Sequence, residues 1–171
     1  MVVAGEQVVY ALETSELTGP TGPRVATTTL RVLVNGEETD VVSLTSTARE
    51  SLRYLDHLDT FITDWDMDFD GTNDVAVLEG VGGAGSYRWY TLHRFDPSTR
   101  TLEPLPGFTY TDVVTGKELP QQIENPQFDP ERQRITSSYT HMGTRSIRTS
   151  VFQYTGAEYE LATTTTQGFE R

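Results

Sequence analysis

The chain has no cysteine, which excludes disulfides, thiolate metal sites and a cysteine nucleophile. Positive charge is scarce. Lys and Arg number 13 against 25 Asp and Glu, a formal net charge of −12. An acidic surface repels nucleic acid and anionic lipid, so neither is expected as a partner. It favours cationic ligands or a basic protein instead. No apolar run is long enough to span a membrane. The opening Met1-Val2-Val3-Ala4-Gly5 is too short for the core of a signal peptide. The expectation is either a cytosolic chain or a mature chain behind an added Met1.

What is present reads as one domain over residues 1–171, with ragged ends at about 1–5 and 164–171. Val, Leu, Ile and aromatic residues fall in short alternating runs. The 14 Gly and 8 Pro punctuate them. That texture predicts an all-β fold of two antiparallel sheets, sandwich-like or an incomplete β-propeller, with one short helix.

The segment Asp66 to Asp74 reads D-M-D-F-D-G-T-N-D. Alternate Asp residues on a curved loop aim their carboxylates at one centre. Gly71 supplies the turn, where a side chain would resist positive φ. Thr72 is placed to offer its backbone carbonyl. Asp66, Asp68, Asp70, Thr72 and Asp74 thus make a cage of hard oxygens suited to Ca²⁺. The alternative is a plain solvated acidic turn, against which like charges this close repel one another without a cation. An EF-hand would need a bidentate Glu at position 12. That position is Val77, inside an apolar run, so Asp74 is expected to close the site and the loop to lead into a strand.

The clearest hairpin runs from Thr27 to Val34, across Asn35-Gly36, and on from Glu37 to Leu44. Leu30, Val32 and Val34 share one face. Thr47-Ala-Arg-Glu50 is a capping-box pattern and predicts a helix over 48–57. Val75 to Glu79 reads as a strand, Gly80 to Gly85 as a glycine-rich loop, and Tyr87 to Phe95 as an alternating strand. Residues 106–127 read as a long irregular connection, with a strand near Phe108 to Val113. Gln133 to His141 and Arg145 to Tyr154 form a second hairpin, followed by a last strand from Glu158 to Thr163. Phe95-Asp-Pro-Ser-Thr-Arg-Thr-Leu102 echoes Phe128-Asp-Pro-Glu-Arg-Gln-Arg-Ile135. The echo reads either as blade-like repeats or as convergent turn chemistry.

Catalysis has little to stand on, and an enzyme is not expected. Gly80-Val-Gly82-Gly-Ala-Gly85 matches G-x-G-x-x-G, but a β pattern follows it where a dinucleotide site needs a helix. Ser86 fails the G-x-S-x-G elbow because Arg88 holds the final glycine's place. His57, His93 and His141 show no ligand spacing.

The D-x-D-x-D-G-x-x-D loop leading into a strand resembles the calcium loops of FG-GAP repeats, as in integrin-type β-propellers. From Phe61 to Leu161 the order is calcium loop, apolar strand, Gly-rich loop, aromatic strand, Phe-Asp turn and late hairpins. That order resembles a group of bacterial envelope proteins that includes immunity proteins against peptidoglycan-cleaving toxins. These are similar in concept to periplasmic lysozyme inhibitors. The resemblance implies a calcium-binding periplasmic or envelope protein that occludes a peptidoglycan hydrolase, a basic protein partner. It implies contact through Gly82, Gly83, Gly85, Ser86 and Tyr87. Here Gly-Ser-Tyr run in direct succession, whereas lysozyme inhibitors space the Ser-Gly from the Tyr. The alternative is a calcium-stabilised structural or adhesion module with no enzyme target.

Overall fold

The turn at Asn35-Gly36 holds both residues at positive φ, 54° and 84°, the geometry whose twist matches two antiparallel strands. The computed structural model describes residues 2–3, 6–17, 25–46, 61–82, 87–141 and 143–168. The predicted helix at 48–57 and the loop residues Gly83, Gly85 and Ser86 lie outside them. Around the turn is the first sheet: β1 (Val2–Val3), β2 (Glu6–Leu17), β3 (Val25–Val34) and β4 (Glu37–Ser46), adjacent in that order. Leu30, Val32 and Val34 do share one face, and each is at most 1% exposed.

A second sheet follows, from β5 (Phe61–Trp65), β6 (Asp74–Gly82), β7 (Tyr87–Asp96) and β8 (Thr101–Pro104). A small ribbon, β9 (Thr109–Thr111) with β10 (Glu118–Pro120), interrupts it. Then β11 (Ile123–Glu124) returns to pair with β7. The third sheet is a meander of β12 (Gln127–Asp129), β13 (Arg134–His141), β14 (Ser146–Tyr154) and β15 (Tyr159–Gly168). Every pairing is antiparallel. The chain is therefore all-β, with sheets that do not close into a barrel, and among the described residues there is no helix. Among the described residues there are three main sheets, consistent with a sandwich-like or incomplete-propeller arrangement. The ribbon is separate from them.

β6 lies in the middle. Its Val75 and Val77 pack with Leu30 of the first sheet. The alternate residues, Ala76 and Leu78, pack with Leu92, Phe108, Ile135 and Tyr159 on the other side. A strand buried on both faces reads as an unbroken apolar run, and Val-Ala-Val-Leu is one. Each such Val or Leu adds roughly 1.5–3 kcal/mol on burial. The first sheet is further tied down by Asp40, whose Oδ2 accepts a 2.7 Å bond from the Leu102 amide.

Three readings of the chain change. Gly80 and Gly82 are not loop; they extend β6 beyond a bulge at Glu79. Glycine is needed there because a Cβ at Gly82 would sit 2.8 Å from the Trp89 ring, and one at Gly80 would sit 3.2 Å from it. The tail does not end at Thr163. β15 continues to Gly168, paired with Ser146. The connection after 106 is organised by the β9–β10 ribbon and β11. The Phe-Asp echo is a true geometric repeat. Phe95 pairs with Leu102 and Phe128 with Ile135, in the same register. Arg100 and Gln133 take matching positive φ of 59° and 51°.

Gly107 locks the third sheet to this connection. It has φ +89°, and a Cβ there would fall 2.1 Å from the Tyr159 carbonyl oxygen. Gly107→Ala should cost at least about 3 kcal/mol. Gly36→Ala, at φ +84° with nothing within 4 Å, should cost only about 1 kcal/mol. Urea unfolding of both variants checks the difference.

Candidate metal centre

Trp65 of β5 pairs with Asp74 of β6, so residues 66–73 form a loop closed at its base by the sheet. Its curvature comes from positive φ at Phe69 (61°) and at Gly71 (88°). Gly71 takes this conformation freely. Phe69 does so against a strain of about 1 kcal/mol, opposed by ring contacts with Tyr154 at 5.2 Å and Phe128 at 5.9 Å.

The aspartates bend the loop by accepting its own amides. Asp66 Oδ2 accepts from Gly71 N (3.1 Å), Asp68 Oδ1 from Asp70 N (3.3 Å) and Asp70 Oδ1 from Thr72 N (2.6 Å). Asp74 has no exposed surface. Its Oδ2 accepts from Met67 N (2.6 Å) and Asp68 N (3.2 Å), and its Oδ1 accepts from Phe95 N (3.0 Å) in β7.

Asp66, Asp68 and Asp74 each place a carboxylate oxygen within 4.8 Å of the others. Asp66 Oδ1 is buried with no hydrogen-bond partner. Asp70 stands outside this trio, exposed, with Oδ1 turned to the Thr72 amide. Thr72 is 1% exposed. Three carboxylates with one oxygen unpaired and buried are a hard-oxygen donor set, suited to Ca²⁺ and unsuited to a soft metal. Val77, where an EF-hand would need its glutamate, is fully buried in β6.

The protein alone does not settle these charges. Burial, then the nearby Asp68 carboxylate, pushes Asp74 up to about 8, against the pull of its three amide bonds. Burial also raises Asp66 and Asp68, each with Asp70 adding to the rise. Arg94 lowers Asp68 in part, although its guanidinium is engaged with Glu103 at 2.9 Å.

Two tyrosines hold the loop from outside. Tyr10 of β2 donates to the Asn73 carbonyl and Tyr159 of β15 to the Met67 carbonyl, each at 2.8 Å. Burial, then the Asp74 charge, raises both phenols well above their ordinary value. The sequence reading missed these two residues, as it missed Phe69. Tyr10 lies in an alternating strand, and Phe69 and Tyr159 stand beside turns, but the partners are distant in sequence.

Of the proposed contact residues, Gly82 ends β6 and faces Tyr87, half-buried at the start of β7. His93 is buried beside Thr91 Oγ1 at 3.1 Å, and burial pushes it down to about 4. A neutral core residue fits that environment.

No family model matches the chain, and no curated protein matches it. Among solved structures, a Xanthomonas protein described as related to a type IV secretion system has a similar fold. The TM-score is 0.54 at 16% identity, covering 95% of this chain and 81% of that one.

The carboxylate shifts carry a pH signature. A carboxylate with a raised folded pKa stabilises the fold below its unfolded value and loses that contribution as pH rises through the folded value. For Asp74 that loss runs from about 4 to about 8. His93, lowered to about 4, acts oppositely as pH falls below its unfolded value of about 6.5. Between pH of about 6.5 and 8 the acidic loop therefore acts unopposed by His93. Without divalent cations, stability to urea should fall across that window. With Ca²⁺ bound the fall should vanish. A flat profile in chelator would contradict this.

Proposed function

We propose that the chain is a calcium-binding protein of the cell envelope that docks on a basic peptidoglycan hydrolase and occludes it, with no catalysis of its own. The calcium half of this reading is carried by one observation. A buried, unpartnered Asp66 oxygen lies among three converging carboxylates. In this reading Asp66, Asp68 and Asp74 bind Ca²⁺ directly, and Asp70 and the Thr72 carbonyl complete the shell.

The docking half rests on charge and placement. At −12 the chain is steered towards basic proteins, and salt weakens that steering. The β6–β7 hairpin carries the acidic loop at one end, at Asp74, and Gly82 and Tyr87 at the other. Eight residue steps along a strand put these ends roughly 26 Å apart. A cation that fixes the start of β6 thereby pre-organises the hairpin, and less entropy is lost on docking. Gly82, Gly83, Gly85, Ser86 and Tyr87 are the contact residues in this reading. The similar structure is described as related to a secretion system, which favours an envelope setting.

The test is inhibition of a panel of basic muramidases. Wild-type protein should inhibit at least one member, less strongly as salt rises. Tyr87→Ala should fold normally and weaken inhibition by about tenfold or more. Equal inhibition by both proteins would move the contact surface elsewhere. Failure against every hydrolase would leave a calcium-stabilised structural module.

A further inference from the structure

A second buried carboxylate, remote from the acidic loop in sequence, also lacks a partner. Glu124 is 5% exposed, and its Oε2 has no hydrogen bond. Its Oε1 takes a long 3.4 Å contact from Asn125 Nδ2. Burial raises its pKa, offset in part by the Thr140 amide and the Trp89 indole. The backbone beneath it is clamped. Glu124 pairs with Trp89 in β7, Ser137 Oγ donates to the Glu124 carbonyl at 2.7 Å, and Asn125 and Arg88 bond through their backbones at 2.8 Å.

Two cavities of about 280 Å³ each share Trp89, Glu124 and Tyr139 in their walls. Each is near the lower end of the ~300–1,000 Å³ that small-molecule pockets occupy. The benzo ring of Trp89 lies along Gly80 and Gly82, so the indole is a backed, rigid surface. Exposed Arg148 and Gln122 line the first cavity. Arg148 takes no part in the ion pairs found among the described residues.

A buried carboxylate oxygen left without a donor is costly, and Glu124 stands in the wall of both cavities. An apolar ligand would leave it unsatisfied. An anion would be repelled by Glu124, and a cation by Arg148. A hydroxyl can both donate and accept. It can donate to the Glu124 carboxylate and accept from Arg148 or the Gln122 amide, all in the wall of the first cavity. A ring of hydroxyls with an apolar C–H face would also cover the Trp89 indole. We propose that this junction of the second and third sheets binds a pyranose sugar. The proposal does not depend on calcium or on a hydrolase partner.

The experiment uses the full chain and methyl glycosides of glucose, galactose and N-acetylglucosamine. A tetrasaccharide of N-acetylglucosamine separates glycan ends from free sugars. Binding is read by tryptophan fluorescence and by saturation-transfer NMR. At least one sugar should bind saturably at millimolar concentration. Glu124→Gln and Arg148→Ala should each weaken it by roughly tenfold. Arg132→Ala, in the turn between β12 and β13, should not. Arg148 is exposed, so its variant keeps the test valid if Glu124→Gln fails to fold. Three results would overturn the proposal: no saturable binding to any sugar, equal binding by wild type and the two cavity variants, or butylammonium binding there in place of sugars.

Discussion

Asp74 is fully buried, and its carboxylate accepts backbone amides from Met67, Asp68 and Phe95. Two of these donors lie in its own loop and the third in the neighbouring strand β7. One side chain therefore closes the loop and ties it to the sheet. The arrangement works only if the negative charge is tolerated. Burial and Asp68 oppose it strongly enough to push Asp74 up to about 8. A divalent cation shared with Asp66 and Asp68 would remove the conflict. It would neutralise the repulsion and fill the unpaired valence of Asp66 Oδ1.

The loop is also where the sheets meet. Tyr10 reaches it from the first sheet, and Tyr159 from the third. Phe69 projects from it onto Phe128 and Tyr154 of the third sheet. Its last residue opens β6, which the cores on both sides share. A neutral hydrogen bond adds only about 1 kcal/mol, so no single contact explains the assembly. Its strength lies in their convergence on one short segment. The loop thereby contacts all three main sheets.

What was legible in the sequence was local. Asn35-Gly36 forms its turn because both residues tolerate positive φ, and that preference shows in two letters. The acidic loop was legible because its turns are made by side chains bonding amides two and five residues away. The Phe-Asp repeat was visible for the same reason, and its shared register is now explained by matched left-handed residues at Arg100 and Gln133. The rest depended on distance. Tyr10 and Tyr159 bond to carbonyls 63 and 92 residues away, and no local pattern marks such partners. Gly80 and Gly82 resemble loop glycines, yet they are strand residues kept small by Trp89. The run Thr163 to Thr166 resembles a frayed tail because it is polar and exposed. β-branched threonine suits an edge strand, and β15 continues through it. Glu124 carries no sequence signal, because its isolation arises only when β11 docks against β7 and β13.

We propose that a divalent cation in the Asp66–Asp74 loop holds the sheets together. Thermal unfolding across a calcium titration, with chelator as reference, tests it most directly. One cooperative transition should rise steadily with calcium, by an amount equivalent to about 2.7 kcal/mol at a hundredfold excess over the dissociation constant. Asp66→Ala should abolish the rise. A transition that stays fixed from chelator to millimolar calcium, in a protein that is otherwise folded, would contradict the account.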